Sequence, residues 1–174
     1  MITNFAKEWI AKNVAITRAK NSDYSGKQGS DYAFDRVIRY GVQPIDGFFT
    51  RMSDKIARLE TWLSHQELQV KNESGADTLS DLANYAMRLC GYVKHKKDVI
   101  EYAEEFYSKL TEDFYRVDES KPPRAALIAI DLHLSQASYI IKETKQDPFN
   151  HLIKIAGYCL LIAYVTRETA PDRL

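Results

Sequence analysis

Apolar residues along this chain recur at steps of three and four, the period of helices that bury one face. The clearest stripe is Phe48, Met52, Ile56, Leu59 and Leu63, and it predicts a helix over about 44–67. Leu79, Leu82, Ala83, Ala86, Leu89 and Cys90 give the core face of another, over about 74–96. Tyr102, Phe106, Leu110 and Phe114 fall at four-residue steps in an acidic, aromatic stretch over about 99–117. That helix is expected to pack as an arm on a partner subunit. Near the start, Phe5, Trp9, Ile10, Val14 and Ile16 predict a helix from Thr3 to about Lys20.

Between these runs the punctuation is plain. Residues 21–31 hold two Gly among Ser, Asn and Asp, and read as a loop. A short helix is expected from Tyr32 to Tyr40, stopped by Gly41 and Pro44. Residues 117–123 end in Pro122-Pro123 and read as a linker. Two more helices follow, over about 123–145 and 148–169, the second opened by Asp147-Pro148. No stretch alternates as a strand does. The expected fold class is therefore all-α, a helical bundle with an additional C-terminal helical pair. The linker divides it into 1–117 and a hairpin, 118–174, packing on the same bundle or on a partner subunit.

Composition narrows the picture a little. At 174 residues the chain fits one domain, which typically buries about 70% of its unfolded surface. Lys plus Arg and Asp plus Glu both number 24, so the formal net charge is zero. There is then no global electrostatic signal for nucleic acid or a membrane surface. Cys90 and Cys159 sit in apolar runs and read as buried small hydrophobes rather than a disulfide, which fits a reducing cytoplasm. The amphipathic start, MITNFAKEWIAKN, lacks the apolar core of a signal peptide. The longest apolar stretch, around 155–165, is short for a membrane span. It is also broad for an exposed helix, so it closes the bundle or forms a subunit interface; a homo-oligomer, dimer or tetramer, is expected.

The candidate chemistry is a row of carboxylates. Glu73, Asp77 and Asp81 stand four residues apart, and each step of four turns a helix by only about 40°. Like charges at that spacing repel, and a hard cation such as Mg²⁺ would offset the repulsion while sharing its shell with phosphates. Asn84 and Tyr85 continue the same face and could meet a sugar or base. The preceding helix offers Asp54 for the metal, and Lys55 and Arg58 for phosphate oxygens. The competing reading is a solvated acidic face whose charges suit the helix N-terminus, with Asp54 and Arg58 as a surface ion pair. His133 and His151 read as surface or packing residues rather than ligands.

Three segments carry a resemblance. Lys20-Asn-Ser-Asp-Tyr-Ser, then Arg51-Met-Ser-Asp-Lys-Ile-Ala-Arg-Leu, then Glu73-Ser-Gly-Ala-Asp-Thr-Leu-Ser-Asp-Leu-Ala-Asn-Tyr-Ala, together resemble the nucleotide modification associated domain of phages and prophages. That family is similar to the all-α, MazG-like NTP pyrophosphatases. The resemblance covers about residues 13–95. It implies a MazG-like helical region within 1–117 and Mg²⁺-dependent cleavage of a nucleoside triphosphate to monophosphate and pyrophosphate. It implies Asp54, Asp77 and Asp81 as catalytic residues and Asp54, Glu73, Asp77 and Asp81 as metal ligands. Lys20, Asp23, Tyr24, Lys55, Arg58, Asn84 and Tyr85 would bind the nucleotide. The sequence departs from the superfamily in its acids. Where those enzymes show Glu-x-x-Glu and Glu-x-x-Asp, this chain offers Asp54-Lys55-Ile-Ala-Arg58 and Asp77-Thr78-Leu-Ser-Asp81. The thinner acidic set makes a non-catalytic nucleotide-binding or sequestering protein the alternative expectation.

Overall fold

The computed structural model describes residues 2–25, 36–65, 74–96, 98–114 and 122–167. Among them are six α-helices and no strand: α1 (Ile2–Ser25), α2 (Pro44–His65), α3 (Gly75–Val93), α4 (Val99–Phe114), α5 (Pro123–Tyr139) and α6 (Phe149–Thr166). A 3₁₀ turn, Arg36–Tyr40, precedes α2, and a π-helical turn, Ile140–Thr144, extends α5. The all-α bundle expected from periodicity is what forms.

The hydrophobic stripes account for the packing. Phe48, Met52, Ile56 and Leu59 on α2 are buried, as are Leu79, Leu82, Ala83, Ala86, Leu89 and Cys90 on α3. Helix α3 lies at the centre, against α2, α4 and α6, and the α5–α6 hairpin closes over α2 and α3. The C-terminal pair thus packs on the same bundle. Ten of the 18 residues of α6 are buried, so its broad apolar surface is core. By length and composition alone α6 could cross a membrane, with a mean hydropathy of 1.3. In the bundle 56% of it is buried, chiefly against α3 and α5.

Three further expectations are corrected. Helix α4 is no arm: Tyr102, Phe106, Tyr107 and Leu110 are buried against the rest of the chain. Helix α1 does not stop at Lys20 but runs through Asn21 to Ser25. Asn and Ser are weak helix formers, and tertiary anchors override propensity here: Thr17 is buried and Lys20 is ion-paired to α3. Finally, the face of α1 that is fully buried carries Ala6, Trp9, Asn13 and Thr17, while Phe5, Ile10, Val14 and Ile16 are only half-buried. Two polar residues, Asn13 and Thr17, occupy this core face because Asn84 of α3 supplies a polar partner for both.

Element ends follow local chemistry. Gly41 takes φ +75°, a left-handed turn open to glycine, after the 3₁₀ segment. Asp98 Oδ1 caps α4 by accepting from the amides of Ile100 (2.8 Å) and Glu101 (3.0 Å). The expected helix over 123–145 changes to π-helical pitch at Ile140 and ends at Lys145, whose φ is 54°.

Candidate anion-binding site

The site is built on the first four turns of α3. Ser74 and Asp77 form a capping box: the Asp77 amide donates to Ser74 Oγ at 3.1 Å, and the Ser74 amide donates to Asp77 Oδ2 at 3.1 Å. The Ser74 hydroxyl also donates to Asp77 Oδ2 at 2.8 Å. Thr78, where the resemblance would ask for a Glu, is buried and donates its hydroxyl back to the Ser74 carbonyl at 3.1 Å. Gly75 permits a close approach to α2, since a Cβ there would lie 2.3 Å from the Trp62 indole. This contact fixes the entry of α3 against α2.

One turn further, Asp81 is gripped from two helices. Lys20 Nζ of α1 lies 2.5 Å from Oδ1, and Lys55 Nζ of α2 lies 2.8 Å from Oδ2. Lys55 and Asp81 keep only 16% and 19% of their side chains exposed, against 45% for Lys20. Burial by itself would raise the Asp81 pKa. Hydrogen bonds and charge from Lys20 and Lys55 outweigh it, and the carboxyl is held below its ordinary value of 3.8. Asp81 is therefore ionised throughout the physiological range.

The next turn carries Asn84, which is buried. Its Oδ1 accepts from the Tyr107 hydroxyl at 2.7 Å and faces Thr17 Oγ1 at 3.2 Å, while its Nδ2 donates to Asn13 Oδ1 at 3.2 Å. Asn13 Nδ2 in turn donates to the Trp9 carbonyl at 2.8 Å. Burial pushes the Tyr107 hydroxyl well above its usual pKa, which keeps it a donor. Three of the four hydrogen-bonding positions of the Asn84 amide are thus engaged in joining α1, α3 and α4. Expected as a reader of a base or sugar, Asn84 is first a structural node.

Above this network a small pocket of about 70 Å³ opens, lined by Thr17, Lys20, Asn21, Asp81, Asn84, Tyr85, Arg88 and Val99. It has room for one phosphoryl group or a few waters. Whole-ligand pockets usually span about 300 Å³ or more, so a nucleoside would extend outside it. Lys20, Lys55 and Arg88 against Asp81 give these four side chains a net formal charge of +2.

The structure gathers Lys20, Asp81, Asn84 and Tyr85 at the pocket, with Lys55 joined to it through Asp81. It does not gather the rest. Asp54 is exposed on α2, Asp77 is held in the cap, and Arg58 is half-buried on α2 outside the lining. Asp23 and Tyr24 fall in the last turn of α1, where side chains are not described, and Glu73 lies outside the described residues. Among the described residues no three His, Cys, Asp or Glu side chains form a group able to hold a metal. Of the expected metal set of Asp54, Glu73, Asp77 and Asp81, Asp54 is exposed on α2, Asp77 satisfies a helix end, Asp81 is ion-paired to two lysines, and Glu73 lies outside the described residues. As arranged, the three described carboxylates Asp54, Asp77 and Asp81 do not converge on one Mg²⁺ position.

Sequence reasoning missed Asn13, Thr17, Tyr107 and Arg88. A signal existed for two of them: Asn13, Thr17 and Lys20 follow one another at helical spacing, a polar stripe on α1. Nothing in the sequence paired that stripe with Asn84. Comparison with protein-family models, with curated proteins and with solved structures finds no match to this chain.

Proposed function

We propose that this chain is a nucleotide-binding protein that holds a phosphate group of its ligand at the Lys20–Asp81 pocket. The observation that carries the reading is the pairing of Asp81 with two lysines from two helices beside a phosphate-sized, cation-lined pocket. Of the two lysines on Asp81, Lys20 is the more exposed, at 45% against 16% for Lys55, and so the better placed to turn to a phosphate oxygen. On ligand entry Lys20 turns from Asp81 Oδ1 to the phosphate, and Lys55 retains Asp81. Arg88 on the pocket wall supplies a second cation, and the Thr17 hydroxyl and the remaining Asn84 N–H lie beside it. Tyr85 lines the same pocket and offers a ring for the sugar or base outside it. The resemblance of 13–95 to nucleotide-handling phage domains supports a nucleotide over other anions.

A second reading, Mg²⁺-dependent pyrophosphohydrolysis of an NTP or dNTP, is favoured by that same resemblance and by Asp77 and Asp81 standing one turn apart on α3. It requires Asp77 to leave its cap and Asp81 to exchange its lysines.

Both readings are separated by incubating the chain with a panel of nucleoside triphosphates, with Mg²⁺ and with chelator, and resolving the products by chromatography. Intact nucleotides together with saturable binding in chelator support the binding protein. Monophosphate and pyrophosphate, formed only with Mg²⁺ and lost in Asp77→Ala and Asp81→Ala, would replace it by the hydrolase. Neither binding nor turnover would overturn both.

A further inference from the structure

Far along the chain from the anion pocket, His133 on α5 and His151 in the first turn of α6 bring their Nδ1 atoms to 3.1 Å. Their ring centroids are 5.3 Å apart. The Tyr158 ring stacks on His133 at 6.0 Å and 19°, which restrains its orientation. Both imidazoles are half-buried, so solvent reaches them.

Two nitrogens that each bond a metal at about 2.0–2.1 Å, at angles near 90–110°, stand roughly 2.9–3.4 Å apart. The observed separation falls in that window. We propose that His133 and His151 form a two-histidine site for a borderline divalent transition ion, Zn²⁺, Ni²⁺ or Cu²⁺, with water completing the shell. Each Nδ1 contributes a lone pair to one bond. Without metal, one Nδ1 carries the proton shared between the rings. On binding, that proton moves through solvent to the Nε2 of its own ring. A bound ion would clasp α5 to α6 and stabilise the C-terminal hairpin by linkage.

The test uses untagged full-length chain, stripped with chelator and dialysed, then titrated separately with ZnCl₂, NiCl₂ and CuCl₂ by calorimetry. One ion per chain is expected, tightest for Cu²⁺. His133→Ala and His151→Ala should each weaken binding at least about tenfold, as loss of one of two ligands does, whereas His95→Ala at an exposed position should leave it unchanged. As a check independent of any variant, imidazole ¹⁵N spectra of the wild type should show the Nδ1 resonances of two rings shifting together on adding Zn²⁺. No saturable binding, binding as tight in both variants as in the wild type, or spectra reporting Nε2 coordination would overturn the site.

Discussion

Lys55 of α2 and Asp81 of α3 meet at 2.8 Å with both side chains largely withdrawn from water. This pair welds two central helices beside the pocket, and Lys20 reaches the other oxygen of the same carboxylate from α1. Removing the acid leaves Lys55 charged in a poorly hydrated position. Asp81→Ala should destabilise the fold by about 1–3 kcal/mol, below the cost of breaking a fully buried pair because water still reaches both groups. Urea denaturation of wild type and variant checks this; an unchanged midpoint would contradict the weld.

The same pair sets an acid limit. The Asp81 pKa is depressed in the fold, so its ionised form contributes stability that is fully present above the ordinary value of 3.8 and is lost as pH falls below it through the lower folded value. In Asp81→Asn that group no longer titrates. Thermal midpoints followed from pH 6 to pH 2.5 should therefore fall less steeply below about pH 4 in the variant than in the wild type.

The buried amide network makes a sharper prediction. Asn84→Leu strips partners from the Tyr107 hydroxyl, Thr17 and Asn13 in a site without ready access to water, and should cost about 2–4 kcal/mol. Tyr107→Phe removes a single donor and should cost about 1–2 kcal/mol. In a double-mutant cycle the two losses should fall short of additive, because the variants remove the same 2.7 Å hydrogen bond.

Gly75→Ala tests the seat of α3 on α2. A Cβ at that position would meet the Trp62 indole at 2.3 Å, so Trp62 or the helix start must shift. A destabilisation of about 1–3 kcal/mol is expected despite the better helix propensity of alanine, and a more stable variant would contradict the packing. By contrast, Asp77→Ala should cost only about 1 kcal/mol, the value of a cap, and leave anion binding unchanged.

Much of this was legible in sequence, and the remainder was illegible for a physical reason. The stripe from Phe48 to Leu59 and the core face of α3 are local patterns, written in residues three and four apart, and they fold as their spacing dictates. The network is not local: Thr17 meets Asn84 across 67 positions, and Lys20 meets Asp81 across 61. Asn13 and Thr17 read alone as polar residues on a surface, and only Asn84 on α3, itself held by Tyr107 of α4, makes them core. The row of Glu73, Asp77 and Asp81 suggested one shared purpose because spacing records direction but not company. In the fold Asp77 finds a helix cap and Asp81 finds two lysines. Likewise the apolar breadth of α6 reflects its place inside the bundle, where ten of its residues are buried.

The most direct test of the anion site is calorimetric titration of a nucleoside triphosphate into wild type, Lys20→Ala and Asp81→Asn, in chelator and then in Mg²⁺. Saturable binding in chelator, weakened at least about tenfold in Lys20→Ala and kept or strengthened in Asp81→Asn, is the expected result, since removing the carboxylate charge frees the lysines for phosphate. Binding that ignores Lys20, or that appears only with Mg²⁺ and vanishes in Asp81→Asn, would contradict a lysine-held phosphate at this pocket.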